Sequence, residues 1–136
     1  MTQSTETHAE APTDVVIAGA ALSGLATAAA FVSAGLNVAL VDRADPRDDA
    51  VSGNDVRTTA ISLSSRRMLE VLGAWDGVAD TAEPILDIRI SDGDSRAHMH
   101  YDHAEVGDEP MGHIVENARL KRSLLKVIAD GPGDAV

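Results

Sequence analysis

Two kinds of apolar spacing alternate along the chain, and their order predicts most of its architecture. Asp14 is followed by VVIA, Val15 to Ala18, a β-branched apolar run with Gly19 directly after it. That is the pattern of a buried strand ending in a turn. Leu25, Ala28, Ala29 and Val32 then recur at helical spacing, and Gly35 stands where a left-handed C-terminal cap is expected. A second apolar run, NVALVD, closes at Asp42. Strand, helix and strand in that order form a β-α-β unit, and a helical crossover joins parallel strands.

Beyond Asp42 the pattern changes. ADPRDDAVSGND, Ala44 to Asp55, is charged and turn-rich, which predicts a mobile surface loop. Met68, Leu69 and Leu72 mark a helix that Ser64 is placed to cap and Gly73 to end. Leu86 to Ile90 alternates apolar with polar residues, SDGDS interrupts, and Ala97, Met99 and Tyr101 alternate again, predicting a β-hairpin. HIV, at 113 to 115, predicts a short strand and Asn117 a helix N-cap. Leu120, Leu124, Val127 and Ile128 form the buried face of the helix that follows. No repeat or low-complexity block is present.

Hydropathy raises one rival reading. Val15 to Val41 contains no charged residue and is long enough to cross a bilayer. Composition weighs against it: Gly19, Gly24 and Gly35, with Ser23, Thr27, Ser33 and Asn37, interrupt the segment, and much of the remainder is alanine, which gains little from lipid. With one Trp, one Tyr and one Phe, the core must be aliphatic, and 136 residues at 44% hydrophobic content are enough to bury one. Eleven Lys and Arg against 22 Asp and Glu leave a net charge of −11, which excludes nucleic acid as an expected partner. The absence of cysteine excludes disulfides, a thiol nucleophile and Cys-ligated metal, and fits a reducing compartment. Residues 1–13 are polar and carry no secretory signal, so they read as a disordered tail ahead of a cytoplasmic domain over 14–136.

The first turn carries the candidate chemistry. A dinucleotide-binding turn has glycine at its first, third and sixth positions: for the tight turn, for the approach of the pyrophosphate, and for close packing of helix on strand. Here those positions are Gly19, Ala21 and Gly24. The following helix would present its N-terminal amides to phosphate. Asp42, at the end of the second strand, is placed to accept hydrogen bonds from ribose hydroxyls. The Ala21 methyl group falls where the pyrophosphate comes closest, which predicts weakened binding and leaves open a β-α-β unit without a ligand. His98, His100 and His103, with Asp102, suggest a metal site, but no further cluster completes a ligand shell, and a solvent-facing row on a hairpin is the plainer reading.

Three segments carry a family resemblance: DVVIAGAALSGLATAAAFVSAGLNVALVDR, DVRTTAISLSSRRMLEVLGAWD (Asp55 to Asp76), and GHIVENARLKRSLLKVI (Gly112 to Ile128) with PILDIRISD before it. Together they resemble the FAD-dependent aromatic hydroxylases, and the later two narrow the resemblance to the ubiquinone-biosynthesis hydroxylases. The resemblance implies an α/β fold: a Rossmann-like FAD-binding β-α-β unit with a parallel sheet, plus a β-hairpin insertion. It implies FAD as cofactor, NAD(P)H as reductant and dioxygen as the source of the atom inserted into the ring. Gly19, Ala21 and Gly24 then fall to the pyrophosphate turn and Asp42 to the adenosine ribose. Arg57 matches an arginine that reaches the cofactor, and Asn117 a polar residue at a helix start beside it; a solvated loop arginine and a simple helix cap are the alternatives. No side chain is assigned a catalytic role.

The departures are equally specific. Ala20, Ala21 and Leu22 stand in a usually glycine-rich run, and Asp42 stands where Glu is usual. The family is also much longer, with a second flavin segment beginning Gly-Asp-Ala and a substrate-covering sheet. GDAV, Gly133 to Val136, spells that beginning but follows the preceding helix too closely. The chain therefore resembles an N-terminal part, an incomplete domain, expected to be inactive alone. For the full-length enzyme the resemblance implies a prenylated phenol as substrate. It leaves open peripheral association with the inner face of a membrane and contact with other ubiquinone-pathway enzymes. The rival functions are a non-catalytic nucleotide- or partner-binding module, or a hydroxylase of another phenol.

Overall fold

The computed structural model describes residues 12–48, 55–94 and 97–133. Most of the expected tail (1–11), the middle of the expected loop (49–54), Ser95 and Arg96 of the hairpin turn, and the last three residues of GDAV lie outside the described residues.

The apolar runs fold as their spacing predicts. β1 (Val15–Ala18) and β2 (Val38–Val41) pair in parallel, Val15 opposite Val38 through Ala18 opposite Val41. The crossover between them is α1 (Leu22–Ser33), whose buried side chains are Leu25, Ala28, Ala29 and Val32. At its C-terminus the Gly35 amide donates to the Val32 carbonyl (2.9 Å) and the Leu36 amide to the Phe31 carbonyl (3.1 Å). Gly35 has φ +83°, the left-handed geometry this pair of bonds requires and a Cβ disfavours. The charge-free stretch is thus strand, helix and strand. Among the described residues no helix is long and apolar enough to cross a membrane.

Parallel pairing stops there. β3 (Thr58–Ser62), β4 (Glu83–Ile85) and β7 (Gly112–Glu116) form an antiparallel sheet in the order β3-β7-β4. β5 (Asp87–Ser91) and β6 (His98–Asp102) form the expected hairpin, with Ile88 opposite Tyr101 and Ile90 opposite Met99. Two longer helices complete the described chain, α2 (Leu63–Val71) and α3 (Asn117–Asp130), with 3-10 turns at Trp75–Gly77 and His103–Glu105. Leu120, Leu124 and Ile128 of α3 meet Leu25, Ala28 and Val32 of α1 in one core, joined by Trp75 and Val78.

Two caps differ from expectation for one reason. β3 runs into α2, and β7 into α3, with no connecting loop. The cap therefore falls on the last strand residue. Ser62, not Ser64, caps α2, its Oγ accepting from the Ser65 amide at 3.2 Å. Glu116 flanks α3 in extended conformation, and Asn117 is its first helical residue.

Candidate functional site at the first turn and the Arg57 cluster

Between β1 and α1 the chain reverses at Gly19, with φ +105°. The Gly19 amide donates to the Val41 carbonyl (2.7 Å) and the Ala20 amide to Asp42 Oδ2 (2.6 Å), so the turn is tied to the end of β2. Ala21 is exposed and extended, flanking the helix. In any α-helix the amides of the first turn lack a carbonyl one turn earlier; here they belong to Leu22, Ser23 and Gly24, and no acidic side chain stands among them. A Cβ at Gly24 would be driven into the Gly19 carbonyl oxygen. Its absence is what lets α1 lie directly on the turn.

Asp42 anchors this arrangement. Besides the Ala20 amide, its carboxylate accepts from the amides of Arg43 (2.6 Å) and Ala44 (3.4 Å). These bonds, the one from Ala20 foremost, hold its pKa below the ordinary carboxylate value. Beside it opens a cleft of about 700 Å³ lined by Ala20, Leu40, Asp42 and Arg43 on one side and by Leu125 and Ile128 of α3 on the other. An apolar floor with a charged rim suits a flat, polar-edged ligand.

Arg57 and Asn117 belong to a second cluster, at the β3–β7 sheet. Arg57 grips Asp55 with two bonds, Nε to Oδ1 at 2.7 Å and Nη2 to Oδ2 at 2.9 Å. Lys121 Nζ reaches the same Oδ2 at 3.4 Å. The Arg57 side chain is 72% exposed, whereas those of Asp55 and Lys121 are only 5% and 7% exposed. The Asp55 carboxyl is held far below the usual carboxylate range, chiefly by Arg57, with burial opposing. The Asn117 amide donates to the Arg57 carbonyl (3.0 Å), and Asn117 Oδ1 accepts from Thr59 Oγ1 (2.6 Å). Asn117 is thus a buried clamp on the Arg57 backbone.

The hairpin histidines have other partners. His100 Nε2 meets Asp87 Oδ1 at 2.5 Å, and His103 lies in the turn after β6, with Nδ1 against the Leu86 carbonyl (3.2 Å). Among the described residues no group of three or more His, Cys, Asp or Glu is placed to hold a metal ion.

A family model described as an FAD binding domain matches residues 12–129. The chain belongs to this FAD binding domain family. It is 40% identical over 112 residues to the ubiquinone hydroxylase UbiL of Rhodospirillum rubrum, covering 82% of this chain and 26% of that protein. It is 32% identical over 123 residues to the 3-demethoxyubiquinol 3-hydroxylase of Escherichia coli, covering 89% of this chain and 31% of that protein. The chain therefore spans about a quarter to a third of these relatives' length. Among solved structures it is similar in fold to the p-nitrophenol 4-monooxygenase PnpA of Pseudomonas putida DLL-E4, with a TM-score of 0.62 and 20% identity, covering 90% of this chain and 30% of that one.

The cofactor of the FAD-binding family fits the residues present. The Gly19 turn and the first-turn amides of α1 are of the kind that cradles a pyrophosphate, and the Asp42 carboxylate keeps acceptor capacity at the rim of the cleft. Sequence reasoning missed the walls that α3 lends to this cleft. It also missed Asp55 and Lys121, although Lys121 carried a signal. It falls on the Asn117, Leu120, Leu124 and Ile128 face of α3, and a lysine on an apolar stripe requires a buried partner.

Proposed function

We propose that this chain is the FAD-binding portion of a flavin-dependent monooxygenase that hydroxylates a phenolic precursor in ubiquinone biosynthesis, built on a Rossmann-like β-α-β unit. The observation that carries the reading is the turn itself: Gly19 at φ +105°, Gly24 packed on the Gly19 carbonyl, and Asp42 bonded to the Ala20 amide. Gly19 and Gly24 shape the turn. Ala21 and the first amides of α1 meet the pyrophosphate, Asp42 accepts from the adenosine ribose, and Arg57 offsets phosphate charge while Asn117 holds its backbone. When bound, FAD supplies the redox chemistry, taking electrons from NAD(P)H and delivering one atom of dioxygen to the ring. The protein's part at these residues is to bind and orient the cofactor. The relatives named as ubiquinone hydroxylases support a prenylated phenol as the substrate class. The same reading assigns the enzyme to the cytoplasm or the inner face of a membrane, among other enzymes of its pathway. Equilibrium dialysis of the purified chain against FAD and NAD tests it. Preference for FAD is expected; clear preference for NAD would overturn the assignment.

A further inference from the structure

Asp55 and Arg57, two residues apart, are joined by Lys121 from 66 positions away, and of the three charges only that of Arg57 is presented to a ligand. Asp55 and Lys121 are nearly inaccessible, whereas the Arg57 side chain faces outward. A buried carboxylate is costly unless paired, and here it has a cation on either side. The guanidinium is planar, so two bonds to one carboxylate fix both its direction and the rotation of its plane. The Arg57 backbone is held as well, through the Asn117 amide. An ordinary exposed arginine samples many rotamers; this one is anchored at both ends. Lys121 matters for a second reason. It gives the buried Asp55 carboxylate a second cation, so the carboxylate that fixes Arg57 is itself held in place.

We propose that Asp55 and Lys121 are positioning residues that hold Arg57 in one orientation toward the phosphates of bound FAD, Asp55 by its two bonds to the guanidinium and Lys121 by fixing Asp55, an inference that rests on the assignment of Arg57 to the cofactor above. Neither residue touches the cofactor; each acts through Arg57. A charge carried in a fixed direction loses less entropy on binding than one that must first be ordered.

The test is a double-mutant cycle on the full chain, reading the FAD dissociation constant by flavin fluorescence, with circular dichroism to establish folding. Arg57→Met and Lys121→Met should each weaken FAD binding by about tenfold. The double variant should bind no worse than Arg57→Met alone, and Lys121→Arg should keep wild-type affinity. Additive losses, or no loss in Lys121→Met, would overturn the inference and leave FAD binding itself intact. Should Lys121→Met fail to fold, Asp55→Asn takes its place in the cycle with the same expectation of non-additivity. Tighter FAD binding by Asp55→Asn would show that orientation contributes nothing. No FAD binding by the wild type overturns the proposed function, and full binding by Arg57→Met overturns the assignment of Arg57.

Discussion

Ala21 has a methyl group and no structural task that needs it. It is exposed, it makes no side-chain cap bond to α1, and alanine is among the poorer residues at that position. In the proposed site the methyl group faces the incoming pyrophosphate. Ala21→Gly is therefore expected to tighten FAD binding several-fold in equilibrium dialysis; unchanged or weaker affinity would mean that the turn does not meet phosphate. His113 is the opposite case, a polar residue held largely out of water. It lies on β7 at 9% exposure, edge-on to Trp75 at 5.2 Å, with Nδ1 buried and without a hydrogen-bond partner among the described residues. Burial, and after it the charge of Arg66, hold its pKa below the ordinary 6.5, with Glu70 opposing. The unfolded chain thus takes up this proton more readily than the folded one, so stability is full above about pH 6.5 and falls as the pH drops below it. Denaturant midpoints at pH 7.5 and 5.5 should show that fall, and His113→Phe should flatten it. An unaltered slope in His113→Phe would assign the pH dependence elsewhere.

Elements differ in how openly the sequence announced them. β1, α1 and β2 were legible because each is bounded by a residue with one structural task, Gly19, Gly35 or Asp42, and the hairpin was legible because one of its faces alternates cleanly. Gly24 gives the sharpest test at this scale. Gly24→Ala places a Cβ against the Gly19 backbone carbonyl, which cannot yield as a flexible side chain would, so α1 must lift from the turn. A loss of about 1–3 kcal/mol in chemical denaturation is expected, with loss of FAD binding; wild-type stability would mean that the helix does not rest there. The less legible elements have physical reasons. β4 is three residues long and contains Pro84, which is tolerated because β4 is an edge strand, and too little pattern remains to signal it. The caps at Ser62 and Glu116 were misplaced because strand passes into helix without a loop. The partnership of Asp55 with Lys121 spans 66 positions, and no local rule joins residues so far apart.

For the whole molecule the main fact is surface left uncovered. A parallel sheet ordinarily has both faces covered, yet beyond α1 the other face of the β1–β2 pair leaves Val16 and Val41 at 68% and 57% exposure. Ile88, Ile90, Met99 and Tyr101 share one face of the hairpin and are likewise exposed. Oxygen transfer to a ring calls for a water-poor enclosure, and these apolar faces are exposed instead of closed over one. The 136-residue chain loaded with FAD is therefore expected to give no hydroxylated product from a phenolic ubiquinone precursor, measured beside NAD(P)H consumption. Product in proportion to NAD(P)H consumed would show that these residues enclose the reaction by themselves. The packing of α1 on α3 has one more consequence, for the order of events at the ribosome. α1 is translated early, but the surface that buries it, Leu120, Leu124 and Ile128, is translated much later. A nascent chain must carry the Gly19 turn on a helix packed against β1 and β2 alone until α3 has emerged from the exit tunnel, which, on the proposed reading of that turn, makes capture of the flavin a late step in the life of each new molecule.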